Sequence, residues 1–356
     1  MRHKSFSDLN SLRSHLIETS PHSVFYSTAY WKKPYEFKMV EKDWLGSDLI
    51  FDLDGDHLPG VVDRDFPSML EVIKEQAWKL WNEFLVDDFG FKEEFAQFTF
   101  SGHRGYHIHY RDPEYLHLEG EARREIVSHI RGESVDVNHL LRRYDDQSSR
   151  GWSQRIRRGV EATIDKLDAI AEGDSAILSE VYLSLRDLRE RGGYKSGVGK
   201  PSIKELAATL RDESRRNRVL SGKFESLGVK HQRTFLDLLK ADSSIVLGSA
   251  GETDEVVTID VRRQIRWPGS LHGKCGLRVC EIEPKDLDPD NKDAFDPLSD
   301  AIVLSRERKY MVEIIVEDAK VRFDDKEYDL CAGERVELHE AGATFLILKG
   351  WARLVS

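Results

Sequence analysis

The sequence predicts an α+β fold: a mixed core assembled from both ends of the chain and interrupted by a helical insertion. Three observations carry this reading. Short apolar runs ending in polar turns occupy the first and last thirds, amphipathic stripes at helical spacing fill the middle, and no internal repeat divides the chain. With 356 residues, the chain can form two compact units or one domain carrying a large insertion.

The elements follow in order. Asp48 to Leu53 is apolar around Leu49, Ile50 and Phe51 and runs into carboxylates, the pattern of a buried strand that delivers acids at its tip. Pro67 to Phe89 sets Ile73, Ala77, Leu80 or Trp81, and Phe84 on one helical face, and Gly90 ends it. Strand character follows around Phe98 and Phe100, then around Ile108. From about Glu121 to Lys240 the period becomes helical. Ile156, Val160, Ile164 and Leu167 form one stripe, and Ile177, Val181, Leu185 and Leu188 form another. Shorter helical pieces lie near Ile203 to Leu210 and Phe235 to Leu239, with a Gly/Lys-rich loop from Gly192 to Lys200.

Strand character returns at Val256 to Val261, Met311 to Val316, Val321 to Phe323 and Thr344 to Leu348. Turns at Phe323-Asp324-Asp325 and Cys331-Ala332-Gly333 split these runs. Glu281 to Asp300, acidic and holding Pro284, Pro289 and Pro297, reads as an exposed loop. The expected division is residues 1–120 as the first part of the core, 121–245 as the insertion and 246–356 as the second part.

Composition narrows the functional classes. A net charge of −11 argues against a generic nucleic-acid coat, while leaving room for one local basic groove and for a partner that supplies further grip. Cys275, Cys280 and Cys331 are too few and too scattered for a disulfide framework, so reduced thiols and a cytoplasmic home are expected. The apolar runs are strand-sized, and the basic, polar N-terminus has no apolar signal core behind it. A soluble protein without a membrane span follows.

Asp52 and Asp54 are two residues apart, a spacing that on a strand points both carboxylates to one face. Adjacent carboxylates repel unless a cation lies between them, and hard divalent cations such as Mg²⁺ prefer oxygen ligands. Two such ions about 3.5–4 Å apart stabilise both the attacking and the leaving oxygen of a phosphoryl transfer. A bare D-x-D also suits a solvated strand end. Phe51 to Gly55 further resembles the first motif of haloacid-dehalogenase-like phosphatases, where the first Asp is a nucleophile. Asp56 opposes that reading, because it adds negative charge where a phosphate must approach.

Two later segments carry phosphate-binding chemistry. In Ser101-Gly102-His103-Arg104-Gly105-Tyr106-His107, the glycines allow close backbone approach, Ser101 and backbone N–H groups suit phosphate oxygens, and Arg104 can hold a phosphate bidentately. His107 and His109 share a face if the segment is a strand, but no third zinc ligand accompanies them. Ile259 to Lys274 sets Asp260 at the end of an apolar run, follows it with Arg262, Arg263 and Arg266, and closes on a Gly-Ser turn bearing His272 and Lys274. An acid beside such a basic cluster is either an ion pair or a metal ligand next to a triphosphate site.

Together these three segments resemble the small catalytic subunit of archaeal and eukaryotic-type DNA primase. The family pattern is D-x-D on a strand, then S-G-x-R-G-x-H, then an acid followed by R-R/K-x-I-R-x-P-G-S-L-H-G-K. Met1 to Phe6 and Tyr26 to Tyr30 extend the likeness. The resemblance implies a mixed α/β primase-type catalytic core with an inserted helical domain. It also implies template-dependent synthesis of short primers on single-stranded DNA from nucleoside triphosphates, with extension on deoxynucleotides left open beside it. Carried over, Asp52, Asp54 and Asp260 are the catalytic acids and the ligands of Mg²⁺ or Mn²⁺. Ser101, Arg104 and His107 contact the nucleotide, and His272 and Lys274 contact its triphosphate. Arg262, Arg263 and Arg266 either contact phosphates or buttress the acids. The implied partner is a large, iron–sulfur-containing primase subunit.

Two departures from the family stand out. Many members carry a Cys/His zinc knuckle between the first two motifs. Gly55 to Phe100 contains no cysteine here and only His57, so no structural zinc is expected. Members usually also have a helical segment before the Met-Arg-His-x-Ser-Phe stretch, with which this chain begins. The rival readings are the phosphatase and a catalytically silent nucleic-acid-binding subunit. Neither has a use for Asp260 joined to the Ser-Leu-His-Gly-Lys run.

Overall fold

The computed structural model of the chain describes residues 3–55, 64–132, 151–192, 197–241 and 255–355. Asp56, His57 and residues 193–196 of the Gly/Lys-rich loop lie outside this set. The fold is mixed helix and sheet, and the chain divides into two compact units. One comprises Met1–Trp81, Phe91–Val127 and Glu252–Ser356; the other comprises Asn82–Gly90 and Ser128–Gly251.

The first unit is built on a four-stranded antiparallel sheet. After helix α1 (Leu9–Thr19) come the short strands β1 (Phe25–Ser27), β2 (Ala29–Trp31) and β3 (Trp44–Ser47), then β4 (Leu49–Asp54). The sheet joins β4 to β6 (Gly105–Tyr110), β5 (Ala96–Phe100) and β8 (Cys280–Ile282), in that order. Strand β7 (Gln264–Arg266) pairs with β1.

Residues paired directly across strands share a face. Phe51, Ile108, Phe98 and Ile282 therefore line one side, as do Leu53, Tyr106, Phe100 and Cys280 on neighbouring rungs. Phe51, Leu53, Ile108, Phe98, Tyr106 and Phe100 are almost wholly buried. Helix α2 (Phe66–Lys79) lies against β4 and β6 and buries Met69, Leu70, Ile73 and Ala77. Asp65 caps it by accepting from the Ser68 N–H, and the chain continues through a π-helical stretch, Leu80–Val86. Each fully buried large apolar side chain contributes about 1.5–3 kcal/mol, so this face anchors the sheet and leaves the opposite face free for chemistry.

Two runs expected as strands are helices. Val256 to Val261 instead gives the helix Glu255–Ile259. Only one side of it is buried, Val257 packing against Ile50 and Ile265 while Val256 is exposed, so one-sided packing overrides the β-propensity of a valine pair. Asp260 thus follows a helix, not a strand. Thr344 to Leu348 lies in the helix Glu340–Leu348, started by His339, whose Nδ1 accepts from the Gly342 N–H. Small residues Ala341, Gly342 and Ala343 open this helix and let it pack closely, which an apolar run alone does not reveal. The remaining strands form two small sheets. The first is the hairpin of β10 (Ala319–Phe323) and β11 (Lys326–Leu330). The second has β9 (Lys309–Ile314) between β12 (Arg335–His339) and β13 (Ala352–Leu354).

The second unit is helical where described, with Gly151–Glu172, Ser175–Gly192, Lys200–Leu210, Glu213–Leu220 and Gly228–Ala241. Ile156, Val160, Ile164 and Leu167 are all buried, and in the second stripe Leu185 is buried while Ile177 and Val181 are half-buried. Arg155 donates to Asp88 at 2.8 Å and lies 3.6 Å from the centre of the Phe84 ring.

Arg123, on helix α3 (Gly120–Arg131), is 1% exposed and ties three segments of the first unit together. It donates to the carbonyls of Leu118 at 2.8 Å, Asp48 at 2.8 Å, Ser47 at 2.9 Å and Thr258 at 3.4 Å, and to the Ser47 hydroxyl at 2.7 Å. Burial lowers its pKa to about 10, against the opposing pull of Asp48 and Asp260, so it remains cationic at neutral pH. Replacing it by Met would leave three buried carbonyls and the part-buried one of Leu118 short of a donor. Arg123→Met should therefore cost about 3 kcal/mol or more in denaturant unfolding, with Lys recovering only part of the loss.

Candidate active site

The face of the sheet opposite α2 is polar. Asp52 pairs with His107, His107 with Thr99, and Thr99 with Glu281. Asp54, opposite Gly105, follows on the same face. The His107 Nε2 lies 3.3 Å from an Asp52 carboxylate oxygen. Burial pushes the Asp52 carboxyl up, but His107, Arg263 and His109 more than offset this and hold it below the usual carboxylate range. Asp54 is half-exposed, with the Arg104 Nε 3.9 Å from its Oδ1, an ion pair too long for a hydrogen bond.

Asp260 is brought to this region by the packing of Val257 on Ile50. It is exposed, its N–H donates to Val256, and its Oδ1 accepts from the Arg262 N–H at 2.9 Å. Among the described residues, no three His, Cys, Asp or Glu side chains converge closely enough to hold a metal ion. Asp52, Asp54 and Asp260 thus do not form a closed cage. Their donor chemistry nonetheless suits Mg²⁺ or Mn²⁺, hard ions that take one or two carboxylates and complete their shell with phosphate and water.

Ser101 to Gly105 forms the turn between β5 and β6. Ser101 holds this turn together: its hydroxyl accepts from the N–H groups of Gly105 at 3.1 Å and His103 at 3.4 Å. Gly102 has φ +81°, the left-handed region. Gly105 serves another purpose than ligand approach, because a Cβ there would run into the Leu53 carbonyl and force β4 away from β6.

The segment after β7 folds back on itself. The Gly269 N–H donates to Val279, Val279 to Ser270, and His272 to Leu277. Cys275 locks the tip of this hairpin to the first turn by donating from Sγ to the Gly102 carbonyl at 2.9 Å, and burial pushes its thiol up to about 11. At Gly273 a side chain would collide with the His22 ring.

The two turns bring together a cluster of nitrogen bases. The rings of His103 and His272 stack at 4.8 Å with planes 22° apart. The Lys274 N–H points to the His272 Nδ1 at 3.2 Å, which leaves the ring proton of a neutral imidazole on Nε2. The Lys349 Nζ lies 3.3 Å from the His103 Nε2. Burial, and then the charges of Lys349, Lys274 and Arg266, hold His103 down at about 2. Burial, with Arg266, Lys274 and Arg104, holds His272 down at about 3. Both rings are neutral at ordinary pH, set among basic side chains. Burial also lowers the Arg104 and Arg266 guanidiniums from their usual value.

A cleft of about 510 Å³ is lined by Tyr26, Gln97, Arg111, Trp267, Arg278 and Glu281 among others, and by none of the three acids. Tyr26 stacks nearly parallel on His109 and meets Trp267 edge-on at 5.5 Å. Asp48 accepts from Tyr30 at 2.7 Å and from Arg111 at 3.0 Å, while a second Arg111 nitrogen reaches the Tyr26 hydroxyl at 3.4 Å. Burial pushes the Tyr26 phenol up to about 12, so it stays a neutral donor.

The structure thus places Asp52, Asp54 and His107 on one sheet face. It places Arg104 at its edge and joins His272 and Lys274 to the Ser101 turn. Arg262 is exposed, whereas Arg263 and Arg266 are half-buried and act electrostatically on Asp52 and on the two stacked histidines, respectively. Sequence reasoning missed His103, which occupies a variable place in its motif, and Lys349, which sits in no motif. It also missed the Asp48 network, although the alternation of Asp48, Ile50 and Asp52 on β4 could have suggested it.

Comparison with known proteins bears on the whole chain. The family model for the DNA primase small subunit matches residues 51–283, which contain all three motifs. The DNA primase small subunit PriS of Methanothrix thermoacetophila is 35% identical, over 99% of this chain and 89% of the relative. Its counterpart in Thermoplasma volcanium is 34% identical over 99% and 86%, and that of Haloarcula marismortui 33% over 99% and 87%. On this agreement across sheet, turns and hairpin, the chain belongs to the DNA primase small-subunit family.

Proposed function

We propose that this primase, a nucleotidyltransferase by family, joins nucleotides at the sheet face carrying Asp52 and Asp54, with Asp260 as the third acid. The observation that carries the reading is the placement of Asp52, paired to His107, beside the cationic cluster of the two turns. Asp52, Asp54 and Asp260 would hold Mg²⁺ or Mn²⁺ together with substrate phosphates. When bound, such ions activate an attacking 3′-hydroxyl and neutralise a leaving pyrophosphate.

The chain's own groups do the rest. His107 keeps Asp52 ionised and oriented. Arg104, Lys274 and the Nε2–H of His272 donate to phosphate oxygens, where preorganised donors contribute most. Ser101 keeps the turn in shape and leaves its hydroxyl hydrogen for a phosphate oxygen. The aromatic and cationic cleft between Tyr26, Trp267 and Arg111 receives the single-stranded template, since stacking platforms with guanidinium groups hold unpaired strands. Residues 1–120 and 246–356 form the catalytic core and 121–245 the insertion.

The net charge of −11 supports a reading in which a partner, the large primase subunit, supplies much of the template grip, with the cytoplasm as the setting. No described helix is long and apolar enough to cross a membrane. The reading requires no structural zinc. A phosphatase would have no use for Asp260 or the hairpin.

Asp52→Asn and Asp260→Asn should each lower nucleotide incorporation on single-stranded DNA by at least about a hundredfold. Their unfolding midpoints should stay near wild type, and a normal rate in Asp260→Asn would remove that residue from the site. Because His103 and His272 deprotonate far below neutrality, nucleotide affinity should show no step from their titration between pH 5 and 8. A loss of affinity in that range that disappears when His103 or His272 is replaced would contradict their neutral state. By fluorescence anisotropy, the chain alone should bind single-stranded DNA weakly, and more weakly still as salt rises. Tight, salt-resistant binding would refute the assignment of template grip to a partner.

A further inference from the structure

Part of the helical unit carries a charge of opposite sign to the whole chain. Between residues 200 and 241, ten lysines and arginines outnumber five aspartates and glutamates, a balance of +5 in a chain of net −11. The surplus gathers on the helix Glu213–Leu220 and the turn behind it, which hold Arg215, Arg216, Arg218 and Lys223.

Burial sorts these cations by side. Val219 is fully buried, and the half-buried Arg216 reaches Asp168 at 2.7 Å and Asp165 at 3.8 Å on the helix Gly151–Glu172. That side holds the short helix in place. Arg215 and Arg218, three apart on its outer side, are exposed. Lys223 is exposed too, and its N–H donates to the Arg218 carbonyl at 2.8 Å across Gly222, whose φ is +81°. Among the described residues, none of Arg215, Arg218 and Lys223 forms an ion pair.

We propose that this outer face, with Asn217 and Ser221 among its cations, is a sequence-independent site for the sugar–phosphate backbone of single-stranded DNA. The site presupposes only that the chain works on single-stranded DNA, as proposed above, and not the assignment of the acids.

A merely solvated helix face balances its charges with acids one turn away and keeps its cations toward the C-terminal end. Arg215 stands instead in the first turn, the end that least favours a cation, and its neighbour one turn on is Arg218. Asp212, one turn back, is engaged as the cap and accepts from the Arg215 N–H at 2.9 Å. A protein partner would ask for apolar or aromatic anchors. The exposed residues here are instead Ser214, Asn217 and Ser221 beside the cations, with no exposed large apolar side chain on this helix. Guanidinium forks, amides and hydroxyls hold phosphate and sugar oxygens without reading bases.

The test is fluorescence anisotropy of the full chain with labelled single-stranded DNA of mixed sequence, over a salt series starting at low ionic strength. Wild type is compared with Arg215→Gln/Arg218→Gln/Lys223→Gln and with Lys292→Gln/Lys326→Gln/Arg335→Gln, which removes three exposed cations elsewhere. The first triple should weaken binding about tenfold or more at low salt. It should also flatten the slope of log affinity against log salt by about two, the release expected for three phosphates of a single strand. The second triple should stay within about twofold of wild type. Equal losses in the two triples, an unchanged slope in the first, or a loss confined to one base sequence would overturn the proposal. Normal DNA binding joined to lost binding of a polyglutamate peptide would overturn it as well, giving the face to an acidic protein partner. Should the first triple misfold, Lys223→Gln, outside the helix, still decides: it should flatten the slope by about 0.7, and no change would overturn the site. Binding is read without turnover, so an Asp52→Asn protein that still incorporates nucleotides would sink the assignment of the acids and leave this result standing.

Discussion

The catalytic unit depends on one buried guanidinium. Arg123 reaches the carbonyls where β3 passes into β4, and it reaches the helix that ends just before Asp260. Strand β4 carries Asp52 and Asp54 and that helix leads into Asp260, the three acids proposed for the site, so a single side chain ties together segments separated by some two hundred positions in sequence. Hydrophobic contact alone, Val257 on Ile50, would bring the segments together without fixing their rotation. Hydrogen bonds from a planar fork add direction. Full burial makes this clasp strong and also makes it unforgiving, since carbonyls that lose a donor in the interior regain no water.

Around that clasp the two faces of one sheet are assigned opposite tasks by the alternation of strand side chains. Phe51, Leu53, Tyr106 and Ile108 give the sheet its anchorage on α2, and Asp52, Asp54 and His107, one residue out of step, form its polar face, the site proposed for the chemistry. A one-residue slip of β4 against β6 would exchange the two sets. Gly105 guards against such a slip by permitting the close approach of backbone to the Leu53 carbonyl that defines the register. Its presence in the Ser101–His107 motif therefore reflects strand packing.

Much of this was legible in the sequence, where a periodic signal existed. The apolar lead into Asp52, the helical stripe of Ile156, Val160, Ile164 and Leu167, and the α+β character all follow from spacing. The helices Glu255–Ile259 and Glu340–Leu348 were not legible. Valine pairs and short apolar runs carry the same local signal whether they end as strand or as buried helix, and the neighbouring surface decides. Lys349 was invisible for another reason: its significance lies in a contact with a turn far upstream, and a lone lysine after an apolar run has no pattern of its own. The stacking of His103 on His272 is likewise a tertiary fact. The motifs gave the residue types, but not which ring would meet which.

The close seating of His22 over Gly273 carries a consequence for how such chains vary over time. The imidazole occupies the volume that any larger residue at 273 would claim, so the two positions share one space. Where position 273 gains even a methyl group, the exposed His22 ring must swing aside or give way to a smaller residue. Positions 22 and 273 are thus coupled through the space they share. Residues with no chemical role can in this way limit which histories are open to those that have one.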